Sequence, residues 1–174
     1  MTFSEDRVQS GFSESETEKV FVDVHGNWGR GNRSQRYTNL KDTIFEEIPG
    51  EWFIAYNEEN KPVASQGIGT FGNVYLLLGL HSQQKGYGKN IAEYVVSRHS
   101  DKPILGAALG GGQHIFPSIG FRKLKFNEMG LLQNEDDLPT EVKSALEMAQ
   151  EKGSMSIRKL FYRPVASWWV MLNR

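Results

Sequence analysis

Residues 73–97, NVYLLLGLHSQQKGYGKNIAEYVVS, constrain the fold more than any other stretch. An apolar run over 74–80 has the length of a buried strand. It passes into a polar turn, His81-Ser82-Gln83-Gln84-Lys85-Gly86-Tyr87-Gly88, beyond which Ile91, Tyr94 and Val95 recur at helical spacing. A chain that runs from strand through glycines into a helix leaves the first helical N–H groups without partners. The helix dipole adds roughly half a positive charge at the same end. That combination holds phosphate. Gly86 and Gly88 admit close backbone approach, and Lys85 and Lys89 bring cations beside them. The plain alternative is an ordinary strand-to-helix connection, since glycines mark many such turns.

The remaining composition narrows the function. A chain of 174 residues fits a single domain with a real core, here expected over 20–174 behind a flexible, Ser- and Glu-rich segment 1–19 that is poorly ordered unless something pins it. Twenty Lys plus Arg against 21 Asp plus Glu remove the case for a broad nucleic-acid surface. With no Cys there is no disulfide, thiolate zinc site or Cys nucleophile. No apolar run approaches the ~20 residues that cross a bilayer, and the N-terminus has no signal-peptide core, so a cytoplasmic protein is expected. The composition leaves room for a homodimer.

In chain order, residues 20–24 read as a strand and 25–33 as a loop, with Trp28, Arg30 and Arg33 among its glycines. Loops of that makeup are often surface connections and sometimes lids. Tyr37, Leu40, Ile44, Phe45 and Ile48 follow a helical period that Pro49-Gly50 stops. Residues 52–56 and 62–70 read as a hairpin, and 74–80 continues an antiparallel meander. A helix over 86–99, a strand over 103–109 and a short helix over 113–119 follow, the last limited by Pro117. The spacing then predicts a strand over 121–129, a helix opened by Asp137-Leu138-Pro139-Thr140 and closed by Gly153, and strands over 157–162 and 166–172. Trp168 and Trp169 point to opposite faces if the last strand is regular.

A second glycine run, Gly67-Ile68-Gly69-Thr70-Phe71-Gly72, competes as a nucleotide site. It fits the dinucleotide pattern but is followed by a strand where that pattern requires a helix. The glycine-rich loop of protein kinases does lie between strands, yet the strand lysine, H-R-D loop and D-F-G site are missing. The run therefore reads as a tight hairpin connection, with nucleotide binding as a third function hypothesis.

Gln83-x-x-Gly86-x-Gly88 resembles the acyl-CoA signature of the GNAT superfamily of N-acetyltransferases, Q/R-x-x-G-x-G/A. Phe116-Pro117-Ser118-Ile119-Gly120-Phe121 resembles the same family's Y-x-x-x-G-F. The likeness spans residues 52–126. It implies a single α/β (α+β) domain with a mixed, mostly antiparallel central sheet and flanking helices, in which the strands at 76–80 and 104–109 splay and admit a pantetheine arm. It implies acetyl-CoA as cofactor, with Gln83, Gln84, Lys85, Gly86, Tyr87, Gly88, Lys89 and Asn90 around the pyrophosphate. Leu78, Gly79 and Leu80 would face the pantetheine and thioester. The activity implied is acetyl transfer to an amine by direct attack.

Such transfer needs a neutral amine, a stabilised thioester oxygen and a proton for the leaving thiolate. The family often draws that proton from the tyrosine of its second motif, but Phe116 has none to give. The asparagine usual before that helix is also absent; Leu109 and glycines stand there. Local replacements are His81, His114, Ser118 and Tyr162, with His81 as base or water-mediated base because histidine titrates near neutral pH. For each, a hydrogen-bonding loop residue is the plainer reading. Glu128 and Glu135-Asp136-Asp137 either attract a cationic amine or form a solvated charge run. No His/Asp/Glu spacing suggests a metal. The acceptor, a small-molecule or peptide amine, is left open, with the 25–36 region and the closing strands expected to shape its site. The alternative function is a non-catalytic CoA-binding or structural module on the same fold.

Overall fold

A computed structural model of the chain describes residues 2–11, 48–108, 112–126, 132–133, 135–151 and 167–172. The expected strand at 20–24, the 25–36 loop, most of the helix before Pro49, the strand at 157–162, Glu128 and Tyr162 lie outside the described residues. The chain divides into two compact units, Met1–Gly69 with Leu78–Arg98 and Thr70–Leu77 with His99–Arg174.

The first unit holds β1 (Val8–Ser10), β2 (Gly50–Tyr56), most of β3 (Pro62–Phe71), the end of β4 (Val74–Ser82) and α1 (Tyr87–Ser97). β1 pairs antiparallel with β2, Val8 opposite Ala55 and Ser10 opposite Phe53. The segment 1–19 was expected to be poorly ordered unless something pins it, and at residues 8–10 pairing with β2 does so. Local composition gave no sign of it, because what pins the segment comes from far along the chain. Arg7 Nη1 donates to the Asn57 carbonyl at 2.6 Å, Phe3 stands edge-on to Tyr87 at 5.7 Å, and the Tyr87 hydroxyl donates to the Thr2 carbonyl at 3.2 Å. β2 and β3 form the expected hairpin around Asn57, whose Oδ1 accepts from the Glu59 and Lys61 amides. Ile91, Ala92 and Val95 turn the apolar face of α1 inward, and Tyr94 meets Phe53 of β2 edge-on.

The glycine run at 67–72 departs from its expected hairpin connection. Gly67 to Phe71 continue β3, with Gly67 opposite Trp52 and Gly69 opposite Gly50, and the turn itself is confined to Gly72-Asn73. Amides committed to a strand ladder cannot cradle a phosphate, so the glycines need a different reason. It is space: a Cβ on Gly69 would collide with the Ile48 side chain, and one on Gly50 would meet the Ile68 carbonyl and stand 2.7 Å from Gly69 Cα. Gly69→Ala should therefore cost about 1–3 kcal/mol in overpacking, read by denaturant melting. ATP should leave the wild-type melt unmoved; an ATP-induced rise would reinstate the nucleotide reading.

The second unit begins with the end of β3 and the start of β4 and continues through β5 (Ile104–Ala108), α2 (Gly112–Ser118), β6 (Arg122–Lys123), β7 (Lys125–Phe126), β8 (Leu132–Gln133), α3 (Thr140–Glu151) and β9 (Ser167–Met171). β4 pairs parallel with β5 over Tyr75↔Ile104, Leu76↔Leu105 and Leu77↔Gly106. β9 lies antiparallel to β5 on one side and to β6 on the other. The expected strand 121–129 is broken into β6 and β7, because Leu124 between them turns its amide to the Trp168 carbonyl while Lys125 and Phe126 pair with β8. Trp168 and Trp169 occupy successive positions of β9 and are both buried, so that strand is covered on both faces. Leu138, Val142, Ala145 and Leu146 make the apolar stripe of α3 and its approach.

The main sheet has seven strands in the order β1-β2-β3-β4-β5-β9-β6, mostly antiparallel, with β7-β8 as a separate pair. No described helix is long and apolar enough to cross a membrane.

Candidate functional site

β4 delivers the chain to the loop through an irregular end. A two-residue turn sets Phe71 against Val74, whereas farther along the Gln83 amide donates to the Val63 carbonyl at 2.8 Å. β4 thus needs one residue more than β3 to cover the same span, which is a bulge. Gly79, with φ 64 inside an otherwise extended strand, marks its position. Only glycine takes that backbone angle without strain. Leu78 is buried beside it and Leu80 is half-buried.

The loop that follows is held by its own groups. Ser82 Oγ donates to the Gln84 carbonyl at 2.7 Å and accepts from the Gln84 amide at 3.3 Å. The Tyr87 amide donates to Gln84 O and the Asn90 amide to Gly86 O, both at 3.2 Å. Ser82 was not singled out from the sequence; its signal was a hydroxyl two residues before the backbone group it braces. Gly86 caps α1 with φ 89, no side chain caps the helix, and its first turn holds no acidic residue. A Cβ built on Gly86 meets nothing within 4 Å. Among the described residues, the amides of Lys85, Gly86, Gly88 and Lys89 have no acceptor. They are four donors at a positive helix end, Lys85, Gly86 and Lys89 exposed and Gly88 buried.

The side chains around this turn differ in what they offer. Gln83 and Lys85 are exposed, and Gln84 and Asn90 are half-buried. Lys89 is exposed and sits 3.5 Å from Glu93, one turn along α1. Exposed pairs of this kind are weak, so Lys89 is easily redirected. Tyr87 is different: its ring is 2 % exposed and its hydroxyl is spent on Thr2 O. Its side chain belongs to the core of the first unit.

His81 lies half-buried at the end of β4, in the same unit as the loop. His114 and Ser118 are both exposed, four residues apart on α2 in the second unit. Ser118 Oγ donates to Ile115 O of its own helix at 2.7 Å, which occupies the hydroxyl proton. Phe116, at the position of the family tyrosine, is 2 % exposed, stacked on Phe121 at 4.8 Å and edge-on to Trp169 at 6.2 Å. Glu135-Asp136-Asp137 form a short 3-10 turn, where the Asp137 carbonyl accepts from Arg122. The Tyr75 phenol is pushed up by desolvation and then by its hydrogen bond to Asp101, within the second unit. Among the described residues, no group of three or more His, Asp or Glu is placed to hold a metal.

Sequence reasoning missed Gln66. It is fully buried on β3, and its Nε2 donates at 2.9 Å to both Gly67 O and Leu78 O. Its only signal was one amide side chain inside the strand sequence VASQGI.

No family profile and no curated protein matches the sequence. Solved structures do. An acetyltransferase of the GNAT family from Staphylococcus aureus is 14% identical with a TM-score of 0.56, the match covering 96% of this chain and 99% of that one. An acetyltransferase from Streptococcus agalactiae is 11% identical at a TM-score of 0.56, covering 95% and 96%. The spermidine N-acetyltransferase of Vibrio cholerae, solved with CoA and spermine, is 7% identical at a TM-score of 0.56, covering 97% of both chains. The chain has the fold of the GNAT acetyltransferases.

Proposed function

We propose that this GNAT-fold chain is a CoA-dependent N-acyltransferase that moves acetyl from acetyl-CoA to an amine by direct attack. The observation that carries the reading is the set of four amides at Lys85, Gly86, Gly88 and Lys89 without an acceptor among the described residues, with open space in front of Gly86, where β4 hands over to α1. A diphosphate matches that site in charge and in its demand for N–H donors. Lys85 would add a cation at the rim, and Lys89, held only by its exposed pair with Glu93, would be free to turn to a phosphate oxygen. Leu78, Gly79 and Leu80 line the strand edge toward the acyl end.

When bound, acetyl-CoA supplies an activated acetyl thioester that an amine attacks with release of the thiol. The chain's part is then to orient, to stabilise charge and to move protons. Fixed backbone donors on the irregular end of β4 would stabilise the charge that develops on the thioester oxygen, where preorganised dipoles act most strongly. Holding both reactants removes ~7–11 kcal/mol of barrier before any acid or base acts. His81 is the first candidate to take the amine proton, and His114 or Ser118 the candidates to protonate the thiolate; Ser118 must first release Ile115 O.

The binder alternative has one observation in its favour, the burial of Phe116 where the family places a phenol. Two measurements separate the readings. Acetyl-CoA at about 100 times its Kd should add ~2.7 kcal/mol of stability, read as a rise in Tm. Thiol release with a panel of primary amines, spermidine and spermine included, then divides enzyme from binder. An unmoved Tm at millimolar acetyl-CoA would end the cofactor reading.

A further inference from the structure

We propose that Gln66 is a positioning residue that clamps the β4 bulge so that the Gly79 amide stays aimed at the thioester oxygen; this rests on the cofactor reading above. Gln66 is 0 % exposed, and its Nε2 has two partners, both carbonyls, Gly67 O and Leu78 O. A carbonyl pair can face only the nitrogen of an amide, so the side chain's orientation is fixed by chemistry. Its Oε1 is buried and has no partner among the described residues. Packing alone is better served there by Leu or Met, which would fill the volume without an orphan acceptor.

What the amide does is hold one peptide plane. All described peptide bonds are trans, so the Leu78 C=O and the Gly79 N–H point in opposite directions. With the carbonyl drawn toward β3 by Gln66, the N–H is turned to the other edge of β4. The positive φ of Gly79 breaks the extended backbone just beyond that N–H, and the plane of the Leu78–Gly79 peptide sets the direction in which it donates. A donor held before charge develops stabilises the transition state more than one that must reorient. Every group in this clamp, Gln66, Gly67, Leu78 and Gly79, belongs to the first unit.

The test uses the whole chain with acetyl-CoA carrying carbonyl carbon-13, and needs no acceptor. In the wild type, the carbonyl stretch of the bound thioester should lie below its frequency in buffer. Gln66→Met should return the band toward that frequency and broaden it, while affinity for CoA itself, which has no acetyl carbonyl, stays at the wild-type value. A folded Gln66→Met protein with the wild-type band overturns the proposal. Gln66→Glu gives an independent arm. Its protonated carboxyl can donate to Leu78 O and its carboxylate cannot, and burial raises the carboxyl's pKa. The lowered frequency should be present at low pH and lost as pH rises through that raised value, with no such change in the wild type; a band in Gln66→Glu that ignores pH overturns the proposal. Wild-type binding with no lowered frequency overturns this inference alone. Failure of the wild type to bind acetyl-CoA overturns the cofactor reading and the clamp with it.

Discussion

Replacing Gly86 with glutamate should abolish the stabilisation by acetyl-CoA and leave a folded protein. Two effects act together at this position. The backbone angle of 89° lies in the region that side-chain-bearing residues avoid, a strain of about 1–2 kcal/mol. The space in front of the residue is empty, so the new side chain enters it without disturbing the core. There it sets a carboxylate where the pyrophosphate would lie, among the amides of Lys85, Gly88 and Lys89. At a concentration that gives the wild type ~2.7 kcal/mol, the variant should show no rise in Tm, an affinity loss of at least about 100-fold. Gly86→Ala carries the strain without the charge and should retain part of the shift. A folded Gly86→Glu protein with the full shift would remove the diphosphate from this loop.

Phe116→Tyr should lower stability and leave acetyl transfer no faster, although it restores the residue that the family motif contains. The ring is 2 % exposed and packs closely over Gly106 of β5, its Cζ and Cε2 2.7 and 2.8 Å from where a Cβ on that glycine would stand, so a hydroxyl on Cζ must find room in a filled interior. Overpacking of this kind costs about 1–3 kcal/mol, and a buried hydroxyl without an acceptor costs a similar amount. For a chain of this length each kcal/mol lowers Tm by about 2–4 °C. Faster thiol release at an unchanged Tm would show that the ring has room and that a phenol there reaches the reacting atoms. The same geometry explains the departure from the motif: with Phe121 stacked on it and Trp169 edge-on, position 116 is part of the core of its unit.

Much of the candidate site was legible because its parts are neighbours in the chain. The apolar run, the turn with Gly86 and Gly88, and the periodic Ile91 and Val95 lie within one short stretch. Each follows from torsional preference and side-chain period, which are properties of adjacent residues. The hairpin around Asn57, the short helix carrying Pro117 and the apolar stripe of α3 were readable for the same reason. The glycines at 67–72 misled because pattern alone cannot tell a glycine that frees an amide from one that makes room for a neighbour. Ile48 and Gly50, far back in the chain, decide that question.

The sequence by itself thus determined the succession of strand, glycine turn and helix, and with it a set of backbone donors suited to an anion, since those features need only local geometry. The tertiary structure alone decided that the N-terminal segment becomes a strand on β2 and that Tyr87 turns its hydroxyl to Thr2, 85 positions away. It also decided that Phe116 is core, and that Gln66 grips the Leu78 carbonyl at the bulge. Each of these is a contact between distant residues, settled by which surfaces meet once the chain has closed, and no run of neighbouring residues encodes it.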